Sequence, residues 1–150
     1  MEISLDVAIS GSRKDVWKVI TDVENAAQTI SGIEKIEVLE KPADGLIGLK
    51  WRETRTLFGK TATEVMWITD VKENTSYQTR AESHGAVYVS GLSIADEGRT
   101  TRLTMTFRSF PQTFGAKMMA AIMGVFFKKA TVNALRKDLE DIKKAVEAAG

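Results

Sequence analysis

Three charged side chains pose an acid–base question inside a stretch that reads as a β-hairpin, WRETRTLFGKTATEVMWIT over residues 51–69. Strand alternation puts Glu53 and Arg55 on the same side as Trp51, and Glu64 arrives on the returning strand. A carboxyl whose pKa is raised in an apolar pocket can deliver a proton to a bound enol or remove one. Glu53 and Glu64 are therefore candidate catalytic groups, with Tyr77 or Tyr88 as a phenolic helper. Arg55 works against that role, because an adjacent cation holds a carboxylate ionised. The same charges also suit an ion cluster tying two strands, or an anchor for the polar end of a ligand. The residues alone leave these three roles open.

Other chemistries have little to stand on. The one histidine, His84, falls in a Ser83-His84-Gly85 turn and reads as solvated surface. With no cysteine and no histidine cluster, a metal site has no donor set. No nucleophile motif accompanies His84 for a serine triad, and no glycine-rich loop cradles phosphate. The sequence therefore calls for no metal and no cofactor.

The hairpin can close in two registers. A loop at Phe58-Gly59 sets Glu53 opposite Glu64, and like charges directly opposite are unfavourable. A loop at Gly59-Lys60 places glycine first, as a type II′ turn requires, and sets Arg55 opposite Glu64. The second is the expected register. It gives one face carrying Leu49, Trp51, Glu53, Arg55, Glu64, Met66 and Ile68, which is expected to look inward.

These residues need elements to hold them. Ile3, Leu5, Val7 and Ile9 alternate as a half-buried strand. Ser12 is an N-cap with Asp15 three residues on, opening a helix whose apolar face is Val16, Trp17, Val19 and Ile20. A short helix over 23–30 follows. Strands are expected near 33–40 and 46–57, from the Gly59-Lys60 turn to the KENTS turn at 72–76, and near 76–82, 86–95 and 101–108, divided by short turns. After Pro111 a long helix runs to about Ala149. Consecutive strands with short turns make an antiparallel meander, and one long helix is available to cover its apolar face.

That helix has two unlike halves. Leu135, Leu139, Ile142 and Val146 form one stripe, and the charges from Arg136 to Lys144, Asp138 and Asp141 included, read as the solvent side. In the preceding half, Met118, Met119, Ile122, Met123, Val125, Phe126 and Phe127 point in nearly every direction. A helix apolar all round is normally buried all round. Met119, Ile122, Met123 and Phe126 are therefore expected in the core or along a cavity, with a homodimer or peripheral membrane contact through residues 118–127 as the other reading.

At 150 residues with 43% hydrophobic and 27% charged composition, the chain fits one domain, residues 1–150. A formal net charge of +1 offers no basic stripe for nucleic acid. The N-terminus lacks a signal-peptide pattern, and MMAAIMGVFF (118–127) is too short an apolar run to span a bilayer. No transmembrane segment and a cytoplasmic location are the expectations.

Taken together, SRKDVWKVITDVEN, ISGIEKIEVLE, WRETRTLFGKTATEVMWIT, GLSIADEGRTTRLTMTF and ALRKDLEDIKKAVE resemble the SRPBCC/START-like superfamily, and its small bacterial polyketide cyclase/dehydrase members in particular. The resemblance covers the whole chain. It implies an α+β helix-grip fold: a curved seven-stranded antiparallel sheet around a long C-terminal helix, with two short helices after strand 1. It also implies a hydrophobic cavity. The expected function is binding of a lipid-like or polycyclic molecule there. The expected contacts are Trp51, Glu53, Arg55, Glu64, Met66, Tyr77, Tyr88, Met119, Ile122, Met123 and Phe126. The alternatives are a cofactor-independent cyclase/dehydratase-like enzyme and a protein- or membrane-interaction module. The fold hosts several functions, so it does not choose between them.

Overall fold

A computed structural model describes residues 1–57 and 59–150, with the side chain of Leu57 also outside the description. The chain opens with strand β1 (Glu2–Ile9), helix α1 (Arg13–Thr21), a 3₁₀ turn (Val23–Asn25) and the one-turn helix α2 (Ala26–Thr29). Six strands follow: β2 (Ile33–Glu40), β3 (Lys50–Leu57), β4 (Lys60–Lys72), β5 (Ser76–Ser83), β6 (Ala86–Glu97) and β7 (Thr100–Pro111). Helix α3 (Phe114–Ala149) closes the chain. The strands form one antiparallel sheet in the order β1-β7-β6-β5-β4-β3-β2. The meander is as expected, and β1 joins its far edge against β7.

Local chemistry explains the boundaries. The Ser12 hydroxyl accepts the Asp15 backbone N–H at 3.1 Å and caps α1. Thr113 does the same for α3 by accepting from Ala116 N–H at 3.1 Å. His84 and Gly85 both take positive φ, 51° and 74°, and turn β5 into β6. The expected strand at 46–57 is shorter at its start: residues 46–49 form the approach to β3.

The core lies at one end of the sheet's inner face. Ile9, Val16, Ile20, Leu49, Trp51, Ile68, Ile94 and Leu103 pack there against Leu139, Ile142 and Val146 of α3. The Val146 side chain sits so close to Gly11 that a Cβ there would lie 2.7 Å from its Cγ1. The expected helical stripe is thus the one that grips the sheet. The apolar first half of α3 is not buried: Phe114, Met119, Ile122, Val125 and Phe126 are between 59% and 89% exposed. Rising about 1.5 Å per residue, a 36-residue helix outruns the sheet it covers. By length and composition α3 is also apolar enough to cross a bilayer, a property the 118–127 run alone does not have.

Candidate functional site

The opening hairpin keeps the expected face and changes the expected partners. Its ladder pairs Glu53 with Glu64, Thr54 with Thr63, Arg55 with Ala62 and Leu57 with Lys60. The expected pairing of Arg55 with Glu64 is therefore overturned, as is the turn at Gly59-Lys60. Gly59 takes φ +72° and Lys60 already belongs to β4. Phe58 lies outside the described residues. The observed register lets the Thr54 and Thr63 hydroxyls bond across the strands at 3.2 Å. It also relieves the opposed acids, because Arg55 turns along its own strand toward Glu53.

That arrangement is an ion cluster braced from three sides. Arg55 Nε–H donates to Glu53 Oε2 at 2.7 Å. Its Nη1 and Nη2 form a bidentate pair with Asp138 of α3 at 3.1 and 2.8 Å. Trp51 Nε1–H donates to Glu53 Oε1 at 3.3 Å. Gly32 lies against this pair: a Cβ there would stand 3.3 Å from Arg55 Nη1. Next to it, Asp141 of α3 accepts from the backbone N–H and hydroxyl of Ser31 at 2.9 and 2.8 Å, and from Lys137 at 2.6 Å. The expected solvent side of α3 is thus wrong at Asp138 and Asp141, which are 3% and 8% exposed. Asp138 follows Leu135 by three and precedes Ile142 by four, so it shares their stripe. That spacing was the available signal for a residue the sequence reading missed.

Electrostatics separate the two candidate acids. Burial alone would lower the Arg55 pKa, but hydrogen bonds and charge from Asp138 and Glu53 outweigh it and hold the guanidinium protonated. Burial pushes the Asp138 carboxyl up, with the Arg55 contact opposing. Burial also pushes Glu64 above its ordinary value, and the facing Glu53 charge adds to this, while His84 and Arg55 pull the other way. Among the described residues no protein donor hydrogen-bonds the Glu64 carboxyl. Glu53, by contrast, is held by both Arg55 and Trp51.

These residues face a cavity of about 810 Å³ between the sheet's inner face, α1–α2 and α3. Trp51, Glu53, Arg55, Glu64, Met66, Tyr77 and Tyr88 all line it, as do Ile30, Ile33, Met105, Phe107, Leu135 and Asp138. Its inner end is buried at Trp51, Tyr77 and Ile142, while Lys60 to Thr63, His84 and Phe127 are exposed and form the rim. Tyr77 is committed elsewhere: its hydroxyl donates to the Ile20 carbonyl at 2.7 Å, and burial, with the Glu53 charge, pushes its pKa up. Tyr88 stacks on Phe107 with centroids 5.8 Å apart, and burial, with the Glu64 charge, raises its pKa. Met119, Ile122, Met123 and Phe126, expected along the cavity, do not line it. They sit on the part of α3 that has passed the rim, and Phe127, Ala130 and Thr131 take that place. His84 is exposed, as expected, yet it lies at the rim. Among the described residues no three His, Asp or Glu side chains are placed to hold a metal ion.

A curved antiparallel sheet gripping a C-terminal helix, with a cavity between them, defines the START-like class. Solved structures with this fold superpose along the whole chain. They include TTHA0849 from Thermus thermophilus (TM-score 0.84, 16% identity, covering 100% of this chain and 99% of that one). A START superfamily protein from Mycobacterium smegmatis gives 0.83 at 17% identity, covering 99% of each chain. The Zhui aromatase/cyclase from Streptomyces sp. R1128 gives 0.75 at 15%, covering 98% of this chain and 93% of that one. No curated protein matches in sequence. A family model does: the chain belongs to the polyketide cyclase / dehydrase and lipid transport family, matched over residues 1–147.

Proposed function

We propose that this protein binds a hydrophobic small molecule, lipid-like or polycyclic, in the cavity between the sheet and α3. The observation that carries the reading is the cavity itself. Its 810 Å³ falls in the range that encloses small ligands, and its wall is mainly apolar, with one polar group of residues. Arg55 already spends three of its five N–H donors on Glu53 and Asp138. It therefore shapes and charges the wall more than it grips a ligand. Glu64, without a protein donor among the described residues, is the group left to accept from a ligand's hydroxyl, or when protonated to donate to its carbonyl, beside Tyr88 at the same wall. Displacement of a fluorescent apolar probe tests the reading. Saturable binding to wild type, lost when Ala134→Trp fills the cavity, supports it; equal binding by both proteins places the probe elsewhere.

One observation favours a second, catalytic reading. Burial and the facing Glu53 charge raise the Glu64 pKa, so this acid takes up a proton more readily, as proton transfer to a bound enol requires. In that reading the chain is a cyclase/dehydratase-like enzyme with Glu64 as its acid–base group and Glu53, bound to Arg55 and Trp51, as its neighbour. With an identified substrate, Glu64→Gln abolishes turnover while retaining binding. Full turnover by that variant removes the reading.

A further inference from the structure

The first half of α3 is a surface that the fold leaves uncovered. Phe114, Met118, Met119, Ile122 and Val125 are 78%, 51%, 59%, 71% and 89% exposed. Monomers rarely present a contiguous apolar patch beyond a few hundred Å². Phe114 and Ile122 alone, at roughly 200 Å² for a large side chain, leave about 300 Å² in water.

Charge identifies the occupant. From Gly98 through Lys137 the sequence holds eight Lys and Arg and no Asp or Glu. Of these, Arg99 and Arg102 lie by the far end of β7, Arg102 paired with Asp6 and Glu97, and Lys137 is paired with Asp141; the cations on the exposed half-helix have no acid within that window of sequence. Lys117, Lys128 and Lys129 lie on the exposed half-helix itself, and no ion-pair partner reaches them among the described residues. An apolar helix bearing lysines alone fits an anionic lipid surface: the apolar side chains enter the headgroup–acyl boundary and the lysines reach back to the headgroups. A second copy is a poorer fit. Pairing this segment with itself would set its cations against the same cations, with no carboxylate on the segment to answer them.

We infer that the half-helix Phe114–Lys129 docks the protein on an anionic membrane surface. The position of the cavity gives the docking a consequence. Phe127, Ala130 and Thr131, which continue the same helix, form part of the cavity rim, and Lys60 stands across from them. A protein seated on this segment turns its cavity mouth toward the lipid. The docking does not depend on what the cavity holds, so its test needs no ligand.

The test is flotation of the purified full chain with phosphatidylcholine vesicles, with and without one third phosphatidylserine. Binding to the anionic vesicles, falling as salt is raised, is the expected result. Each lysine near an anionic surface contributes roughly a fivefold factor, so Lys128→Ala with Lys129→Ala lowers the partition coefficient roughly thirtyfold. Val125→Glu and Ile122→Glu, at sites too exposed to disturb the core, lower it at least tenfold with unchanged thermal unfolding. Binding that ignores lipid charge and salt overturns the inference, as does absence of binding. So does a stable dimer that Val125→Glu turns into monomer while lipid binding is nil; the apolar face then belongs to a second copy.

Discussion

Replacing Arg55 with methionine tests whether the charge cluster is a structural brace. The Arg55 side chain is 23% exposed and sits between the side chains of Glu53 and Asp138, 10% and 4% exposed, at 2.7 Å from the first and 2.8 Å from the second. Methionine keeps the length of the stem and removes the charge, so the loss is electrostatic more than steric. Glu53, Asp138 and Glu64 are then left facing one another. Removing one partner of a buried pair costs about 3–5 kcal/mol, because the other charge stays buried without compensation. For a domain of this size each kcal/mol moves Tm by about 2–4 °C, so a fall of about 10 °C at pH 7 is expected by circular dichroism. The sign with pH follows from the orphaned acids. Their pKa values rise in the folded variant, so its deficit is fully present at neutral pH and shrinks as the solution nears the range where they take up protons. Adding Asp138→Leu to Arg55→Met removes the more deeply buried of the two orphans and recovers at least half of the loss. A fall below about 1 kcal/mol, the value of a solvent-exposed pair, refutes the reasoning, as does a double variant less stable than the single one.

Three further outcomes follow from the same geometry. Glu64 titrates above its ordinary 4.5, so its charge costs stability once the pH exceeds that value; Glu64→Gln therefore raises Tm at pH 7 and leaves it unchanged near pH 4. A Tm that falls at pH 7 contradicts this. Gly11→Ala places a Cβ 2.7 Å from Val146 Cγ1 and is expected to cost about 1–3 kcal/mol by urea unfolding, with no measurable cost meaning that β1 and α3 are looser there. Tyr77→Phe strips the Ile20 carbonyl of its 2.7 Å donor in a buried setting and is expected to cost about 1–3 kcal/mol in the same assay.

The fold was largely legible because its signals are local. Ser12 with Asp15, the alternation from Ile3 to Ile9, and the stripe Leu135–Leu139–Ile142–Val146 each report on neighbours a few residues away. The candidate site was legible by face and illegible by partner. Alternation alone puts Trp51, Glu53, Arg55, Glu64 and Met66 on one side, and all five line the cavity. The register depends on small energies, and turn type with charge opposition favours a pairing that the fold does not adopt. The missing quantity was a long-range one, the reach of Arg55 to Asp138 across 83 positions of sequence. That contact fixes the Arg55 guanidinium where its Nε–H also reaches Glu53, which makes the Glu53–Glu64 opposition tolerable. The first half of α3 failed for a related reason. Apolarity all round implies burial only where the fold supplies something to bury against, and here the sheet ends before the helix does.

Native mass spectrometry of the protein purified under mild conditions tests the proposed binding most directly. A noncovalent adduct of defined mass that disappears on denaturation and is absent from Ala134→Trp is the expected result. Bare protein as the sole species, together with no saturable uptake of apolar probes by the wild type, would contradict it.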